Sequence, residues 1–327
     1  MKIVNPSVEM MRCGLEKEFI TPEQFIEKVG RTCYKSEDKI TEDSAAKFVG
    51  NLISRGHEAM IEHWSLIFQT DSDTYAQIKY DCDALQSNCN LPVKERLRPF
   101  LRFTDQRVDS DNVRYILSGN MRALRDYLKL YVEWFNDIPQ YFHDMICCYP
   151  LFFPEYQNRL PQEINHDILI PITPIELVGD KERSVHMNVT MKFICDRGVS
   201  HEMVRHRVAS FAQESTRYCN YGGDKFGNEI TVIRPSWCKP DSDAYSAWRE
   251  GCLTAEGSYF ALLSVGCAPQ EARSVLPNST KTEIIVTMNV GDWDHFFALR
   301  CAPSAHPDMR EVACMARDRM DGVLYGV

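Results

Sequence analysis

Residues 203–218 read MVRHRVASFAQESTRY, and the interpretation of the whole chain starts from this stretch. Arg205, His206 and Arg207 are adjacent, and Arg217 follows them within the same segment. So many cationic groups on a short segment repel one another unless an anion or a polar cofactor lies between them. Arginine is the side chain best suited to bidentate recognition of phosphate. The stretch therefore predicts a binding site for an anionic ligand.

Composition limits the class of protein. The chain has 327 residues, 44% of them hydrophobic, and a formal net charge of −9. This length is enough for a large core in one big domain or two smaller ones. The acidic balance argues against a general nucleic-acid binder, although a basic site on an acidic body still attracts a small anion. Neither a membrane span nor the apolar core of a signal peptide is present, so we expect a cytoplasmic protein without a membrane partner.

Cysteine and histidine spacing gives no metal motif. The thirteen cysteines are scattered without a C-x-x-C pair, which predicts buried free thiols instead of a disulfide framework. His57 and His63, like His201 and His206, miss the i, i+4 spacing that places two ligands on one helical face. We therefore expect no bound metal.

Capping signals and hydrophobic periodicity predict most of the regular elements. Thr21-Pro22-Glu23-Gln24 forms a capping box that opens a helix, and a second helix over 41–55 ends before Gly56. Val185 to Cys195 alternates as a half-buried strand, and Ser200 is predicted to cap a helix carrying Glu202, Arg205 and His206. Further elements are predicted at 64–69, 112–117, 120–135, 139–148, 229–233, 241–265, 282–289 and 289–300.

A strand–Asn–helix pattern occurs twice, around Asn120 and around Asn289. An internal repeat and a coincidence both remain compatible with the sequence. Arg122 and Arg125 on the first of these helices either reach a ligand or lie on a solvated face, and the second interpretation is favoured.

The run Arg205-His-Arg, seven further residues, then Ser215, Arg217 and Tyr218, resembles the signature of the flavin-dependent thymidylate synthases (ThyX). Two more segments, at 55–64 and 289–313, resemble that family in the expected order. The resemblance implies an α+β fold with a mixed sheet flanked by helices. It implies one domain over residues 1–327, interrupted by an insertion at about 70–184.

The resemblance also implies the site residues. Those expected to bind dUMP are Glu202, Arg205, Gln213, Glu214, Ser215, Thr216, Arg217, Arg273 and Arg300. Those expected to bind FAD are Cys33, His57, Ala59, Glu62, Arg205, His206, Arg207, Gln213, Asn289, Gly291 and His295. Ser215 is interpreted as a hydrogen-bonding ligand, because neighbouring arginines cannot act as its base.

Several positions depart from the family pattern. Cys33 stands where many members have Ser, Ala59 where Thr is frequent, and Gly291 where Arg is common. Ala212-Gln213 replaces an Asn-Glu pair, and Glu214 is expected to compensate in part for the lost carboxylate.

The implied reaction is the reductive methylation of dUMP to dTMP. Methylenetetrahydrofolate supplies the carbon, and FAD reduced by NADPH supplies the hydride. Arg300 is the expected catalytic residue, since a cation beside the uracil stabilises developing negative charge; the alternative is a helix C-terminal cation. Family members assemble as homotetramers. The alternative functions are a catalytically weakened nucleotide- or flavin-binding relative, and a nucleic-acid-associated protein that binds backbone phosphates.

Overall fold

The computed structural model describes residues 1–16, 20–88, 100–108, 112–217, 219–223 and 227–324. Helices and strands are intermixed within these ranges, which confirms the α+β class. Tyr218 of the signature and residues 224–226 lie outside the described residues. The strands are β1 (Lys2–Val4), β2 (Ser7–Arg12), β3 (Ser65–Thr70), β4 (Leu101–Arg107), β5 (Val113–Asn120), β6 (Ile170–Pro171), β7 (Asn188–Asp196), β8 (Ser210–Gln213), β9 (Thr231–Ile233) and β10 (Lys281–Asn289). The helices are α1 (Pro22–Tyr34), α2 (Ser44–Ser54), α3 (Ser72–Asn88), α4 (Met121–Phe135), α5 (His143–Cys148), α6 (Gly179–His186), α7 (Arg197–Met203), α8 (Asp243–Ser264), α9 (Pro269–Ala272), α10 (Val290–Arg300) and α11 (Pro307–Leu324).

The strands in the described ranges form three sheets. β1 and β9 make a parallel pair. One four-stranded sheet has the order β2-β7-β10-β8, and the other has the order β4-β5-β3-β6. Every neighbouring pair in these two sheets is antiparallel. Parallel and antiparallel pairs therefore occupy separate sheets.

The capping box predicted at the start of α1 is present. Thr21 Oγ1 accepts from the backbone N–H of Gln24 at 3.3 Å, and Gln24 Oε1 accepts from the N–H of Thr21 at 3.1 Å. The helix then buries Phe25, Ile26 and Val29. Residues 30–34 form the last part of α1, and the chain reverses at Lys35 with φ 49°.

The second predicted helix is also present, with shorter bounds, as α2. Its buried face carries Ala45, Val49 and Leu52. Gly56 follows with φ 68°, which is the left-handed conformation that glycine adopts without steric cost. The next segment, Glu58–His63, is a 3₁₀ turn that leads directly into β3.

The inserted segment is built onto β3. β5 pairs with β3 from Ser65↔Asn120 to Thr70↔Tyr115, and β4 extends the sheet beyond β5. Leu117, Leu124 and Leu128 of the insertion belong to the same buried cluster as the apolar face of α1. The described parts of the segment at about 70–184, expected to be an insertion, are therefore folded; α3, β4 and α6 within it were not predicted.

The two four-stranded sheets repeat one arrangement, which supports an internal repeat over coincidence. Asn289 lies opposite Asn188 at the end of β10, as Asn120 lies opposite Ser65 at the end of β5. The helix that follows is capped in the same way in each sheet. Asn120 Oδ1 accepts from an N–H at 2.8 Å, and Asn289 Oδ1 does so at 2.7 Å.

Two buried histidines join the sheets reciprocally. His63, just before β3, places Nδ1 2.7 Å from Thr287 Oγ1 in β10. His186, just before β7, places Nδ1 2.7 Å from Ser118 Oγ in β5 and Nε2 2.8 Å from Thr104 Oγ1 in β4. Burial lowers the pKa of His63 to about 4 and that of His186 to about 3. Each sheet thus contributes a neutral imidazole to the other.

The strand predicted over 185–195 begins later than expected. Val185 and His186 belong to α6, and β7 starts at Asn188. β7 is also buried more completely than a half-buried strand, since Thr190 is only 2% exposed. The reason is its central place between β2 and β10, with the second sheet packed nearby. Across the part of the chain that the structure describes, no helix has the length and apolar character needed to span a membrane.

Candidate functional site

Arg205 and Arg207 of the signature lie in the loop between α7 and β8, and Arg217 lies after β8. Asp196 Oδ1 caps α7 by accepting from the N–H of Val199 at 2.7 Å, so the prediction that Ser200 is the cap is wrong. The helix ends at Met203. Arg205 and His206 were predicted to lie on this helix, and both lie beyond it.

Arg300, the last residue of α10, is held by this loop and by the end of α7. Its Nη1 donates to Glu202 Oε2 at 2.7 Å, its Nη2 to the Glu202 carbonyl at 3.0 Å, and its Nε to His206 Nε2 at 3.0 Å. A helix continuing through Arg205 would place its side chain near that of Glu202, three residues earlier. In the structure Glu202 pairs with Arg300, and Arg205 meets Glu202 only through a backbone hydrogen bond at 3.3 Å. The pairing joins residues far apart in sequence, and helix spacing alone could not reveal it.

His206 is neutral in this arrangement. Burial, and then the charge of Arg300, lower its pKa to about 4. Since Nε2 accepts from Arg300, the proton of the neutral ring is on Nδ1. The ring packs against Phe296 with centroids 4.8 Å apart and lies 6.5 Å from His295. The position of His206 thus fixes the direction of the Arg300 guanidinium.

Two cations of the signature remain open to ligands. Arg205 and Arg207 are exposed, and among the described residues neither has an ion-pair partner within 4.0 Å. Arg217 is also exposed. Arg273, at the end of α9, donates from Nη1 to Thr216 Oγ1 at 3.3 Å. The structure therefore brings Arg273 to the loop after β8, and Arg300 to the loop before it.

The residues between these loops are tied into the sheet. Gln213 Nε2 donates to Ser200 Oγ at 2.8 Å and to Thr282 Oγ1 at 3.2 Å. Glu214 is 3% exposed, and its Oε2 accepts from Lys281 Nζ at 3.0 Å. The expectation that Glu214 partly replaces a ligand carboxylate is therefore wrong, because its carboxylate is engaged inside the protein.

Sequence reasoning missed a lysine cluster under this loop. Lys35, Lys192 and Lys281 all form ion pairs with Glu283, which is 7% exposed. Burial by itself would raise the pKa of Glu283, but the three positive charges outweigh it and lower the pKa to about 2. The alternation of β7 and β10 could have suggested a cross-strand pair of Lys192 and Glu283. No local pattern could have predicted the contribution of Lys35, because it follows the end of α1.

Cys33 and Ser215 meet through the backbone. The Ser215 N–H donates to the Cys33 carbonyl at 3.0 Å, which fixes the end of α1 against the signature loop. Burial raises the pKa of the Cys33 thiol to about 11, so the thiol is protonated at neutral pH. The proximity of these two predicted site residues is a result of the tertiary fold.

The Glu58–His63 segment contacts the insertion. His57 and Ala59 are exposed, whereas Glu62 Oε1 accepts from Arg122 Nη1 at 2.5 Å. Arg125 is 8% exposed and pairs with Glu58 at 3.3 Å and with Glu155 at 2.8 Å. The favoured interpretation of both arginines as part of a solvated face is therefore wrong, because α4 packs on this segment.

The start of α10 has little freedom to contact a ligand through side chains. Asn289 is 3% exposed; its Oδ1 caps the helix and its Nδ2 donates to the Val185 carbonyl at 3.1 Å. A Cβ at Gly291 would lie 2.6 Å from Ser184 Oγ and 3.2 Å from the Ser184 carbonyl oxygen. Helix α6 of the insertion thus explains why a side chain is absent at position 291. His295 is exposed.

Glu62 and Asn289 line one small cavity together with Ser65, Arg102 and Asn120. Its volume of about 20 Å³ holds roughly one water molecule. A planar cofactor does not fit inside it, so the predicted flavin residues can reach such a ligand only from the exposed surface formed by His57, Ala59 and the signature loop.

The described residues contain no group of three His, Cys, Asp or Glu side chains placed to hold a metal ion. Twelve cysteines lie in these ranges and all are free thiols; six are buried, four partly buried and two exposed. The prediction of free thiols is confirmed for this part of the chain.

Comparison with known proteins identifies the class. Residues 177–324 match the family model Thy1, described as thymidylate synthase complementing protein. The flavin-dependent thymidylate synthase of Pyrococcus abyssi is 31% identical over 165 residues, which are 50% of this chain and 66% of the relative. The Pyrococcus furiosus enzyme is 34% identical over 44% of this chain and 59% of the relative, and the Geobacter sulfurreducens enzyme 38% over 36% and 49%.

The chain is therefore a member of the flavin-dependent thymidylate synthase family through its residues 177–324. It spans about half to two thirds of the length of the curated relatives that it matches. A crystal structure of the UMP/dUMP methylase PolB from Streptomyces cacaoi, bound with 5-Br dUMP, is 23% identical with a TM-score of 0.36, over 42% of this chain and 66% of that chain.

Proposed function

We propose that this protein is a flavin-dependent thymidylate synthase that methylates dUMP reductively to dTMP. Methylenetetrahydrofolate would donate the carbon, and FAD reduced by NADPH would supply the hydride when bound. The observation that carries the proposal is the fixed Arg300 guanidinium beside the exposed Arg205 and Arg207, all within the segment that matches the family.

Nucleotide binding is supported by the cations around the signature loop. Arg217 is exposed on the loop that follows β8, and Arg273, just after α9, contacts Thr216 of the same loop. A phosphate monoester binds best where several guanidinium groups converge. We assign Arg217 and Arg273 to the phosphate, and Ser215 and Thr216 to hydrogen bonds with the nucleotide. Gln213 and Glu214 would act by holding this loop on the sheet.

Arg300 would act on the uracil. Its guanidinium is held on three sides by Glu202 and the neutral His206, so little reorganisation is needed when negative charge develops on the pyrimidine. Because His206 is neutral, it accepts a hydrogen bond from Arg300 without adding a second positive charge. Glu202 and His206 are therefore positioning residues for Arg300.

The residues present fit a flavin at the surface. Arg205 and Arg207 offer exposed guanidinium groups to its phosphates, and His57 and Ala59 are exposed on the adjoining Glu58–His63 side. Glu62 is paired with Arg122, and Asn289 caps α10, so these two would shape the surface more than bind the ligand. Contact at Gly291 would involve the backbone alone. An open surface of this kind is completed readily by another copy, and we propose a cytoplasmic homotetramer.

The experiment is tritium release from [5-³H]dUMP with FAD, NADPH and methylenetetrahydrofolate, using the purified chain. We expect release that requires all four small molecules. If the protein binds FAD and dUMP yet releases no tritium, it is a weakened relative. If it binds oligonucleotides with a strong salt dependence and ignores FAD, the proposal is wrong and the phosphate-binding alternative holds.

A further inference from the structure

A cavity of about 470 Å³ lies outside the site described above. It is bordered by β2, β3 and the inserted segment, and its walls are mainly apolar. Its lining includes Arg12, Trp64, Leu66, Tyr149, Ile172 and Ile175. A cavity of this size with apolar walls and a few polar groups is typical of a small-molecule site.

Arg12 is the cation in this cavity. Its guanidinium carbon lies 3.8 Å from the centroid of the Trp64 ring and 5.7 Å from that of Phe25. Its side chain has no hydrogen bond and no ion pair within 4.0 Å to any described residue. Burial is the main effect that lowers the pKa of Arg12 from its ordinary value. Arg12 is partly buried, and the charge of Glu16 nearby offsets only part of this effect. A ligand anion that accepted from the guanidinium would therefore be stabilised.

The guanidinium of Arg12 is held over the Trp64 ring and lines the cavity. A guanidinium in such a place can bind a carboxylate bidentately through two of its N–H donors. Trp64 is 9% exposed and is therefore a fixed support for Arg12. The geometry thus presents a preorganised carboxylate receptor at an apolar wall.

The local charge favours a singly charged ligand. Glu16 also lines the cavity, and both of its oxygens accept backbone hydrogen bonds, one from the N–H of Cys13 and one from that of Gly14 at 2.8 Å. Arg12 and Glu16 together give a net charge near zero. Glu16 repels any anion in the cavity, and it repels a dianionic phosphate about twice as strongly as a monoanion. The single charge of Arg12 is matched by a monoanion.

We propose that this cavity binds an aromatic carboxylate. The carboxylate pairs with Arg12, and the ring system packs among Leu66, Tyr149, Ile172 and Ile175. Six of the eighteen residues that line the cavity lie between 149 and 175, within the segment expected to be an insertion. The proposal is independent of thymidylate synthesis, because no signature residue takes part.

The test uses 2-naphthoate and its neutral isostere 2-naphthamide, titrated by calorimetry into the purified chain without nucleotide or flavin. We expect 2-naphthoate to bind at least about tenfold more tightly than the amide, because only the carboxylate forms a charged hydrogen-bonded pair with Arg12. Arg12→Gln should weaken 2-naphthoate at least about tenfold and leave the amide unchanged. Arg249→Gln, at an exposed position on α8, is the matched control.

A second variant leaves Arg12 and Trp64 in place. Ile175 is 66% exposed at the mouth of the cavity, so Ile175→Glu disturbs little of the core. It should weaken 2-naphthoate more than 2-naphthamide, because it adds a negative charge to the cavity and only 2-naphthoate is itself negatively charged. Absence of 2-naphthoate binding at about 1 mM, equal affinity for acid and amide, or unchanged binding in both variants overturns the proposal.

Discussion

Asn120 and Asn289 occupy equivalent positions in two four-stranded sheets. Each ends a strand, each caps the following helix, and each lies opposite the first residue of a neighbouring strand. The residues after them also match, because the Met121 N–H donates to the Trp64 carbonyl at 2.8 Å and the Val290 N–H to the Met187 carbonyl at 3.0 Å. Residues 113–135 thus show the same strand–Asn–helix arrangement as residues 281–300, which end in Arg300.

The two arrangements have different tasks. The helix that begins at Val290 ends in Arg300, which is held by Glu202 and His206. The helix that begins at Met121 directs Arg122 and Arg125 to the Glu58–His63 segment. One arrangement therefore builds the candidate active site, and the other supports the segment predicted to lie beside the flavin.

Replacing Arg300 tests the catalytic assignment. We expect Arg300→Gln to lower the rate of tritium release from labelled dUMP at least about 100-fold, as when a preorganised electrostatic contact is removed. Glu202→Gln should cause a smaller loss, because it weakens the orientation of Arg300 and leaves the charge in place. Arg319→Gln, at an exposed position on α11, is the control. A wild-type rate in Arg300→Gln contradicts the assignment.

Replacing Arg217 tests the phosphate site. Arg217→Ala should raise the Kd for dUMP about 10- to 100-fold and leave FAD affinity within about twofold, since the loss is confined to a charged contact with one ligand. Separate calorimetric titrations of dUMP and FAD into the variant measure both values. Equal loss of affinity for dUMP and FAD would contradict the assignment of Arg217 to the phosphate of dUMP.

Gly291 tests the packing of the insertion on α10. Gly291→Ala places a Cβ 2.6 Å from Ser184 Oγ, and we expect it to reduce the free energy of unfolding by about 1–3 kcal/mol. Adding Ser184→Ala should recover part of this loss, because the side-chain oxygen is removed and the carbonyl at 3.2 Å remains.

Gly251→Ala is the matched control for this experiment. Gly251 lies on α8, and a Cβ added there would have no neighbouring atom within 4 Å, so alanine should stabilise the helix by about 0.5–1 kcal/mol. Urea unfolding of the four proteins gives the comparison. Destabilisation by Gly251→Ala equal to that by Gly291→Ala would remove the steric explanation.

The buried histidines predict an acid-sensitive fold. His63 and His186 have pKa values of about 4 and about 3 in the folded protein, against about 6.5 in an unfolded chain. Between these values the unfolded state binds more protons. The stabilisation from neutral imidazoles is therefore complete above about pH 6.5 and is lost as the pH falls towards 4 and then 3.

Urea unfolding at pH 7 and pH 5 measures this loss. Each histidine should contribute at most about 2 kcal/mol of it, and His186→Asn should show a smaller pH dependence than the wild type. Glu283, whose pKa is lowered to about 2, loses its contribution only as the pH falls below about 4.5, outside this window. An identical pH dependence in His186→Asn would contradict the role of burial.

Sequence alone determined much of the local structure of this protein. Local signals placed the capping box at Thr21, the glycine end of α2 and the strand–Asn–helix order around Asn120 and Asn289, because caps, turns and periodicity depend on neighbours in sequence. The adjacency of Arg205, His206 and Arg207 likewise pointed to an anion site and to the family. These features need no knowledge of distant contacts.

Tertiary structure decided the rest. Glu202 pairs with Arg300 and not with Arg205, Glu214 turns inward to Lys281, and Ser184 closes the space at Gly291. Each outcome depends on which elements meet in space. Contacts between residues so far apart in sequence produce no local pattern that could predict them. The reciprocal contacts of His63 and His186 arise for the same reason. A buried polar ring requires a hydrogen-bond partner, and in this protein the partner belongs to the other sheet.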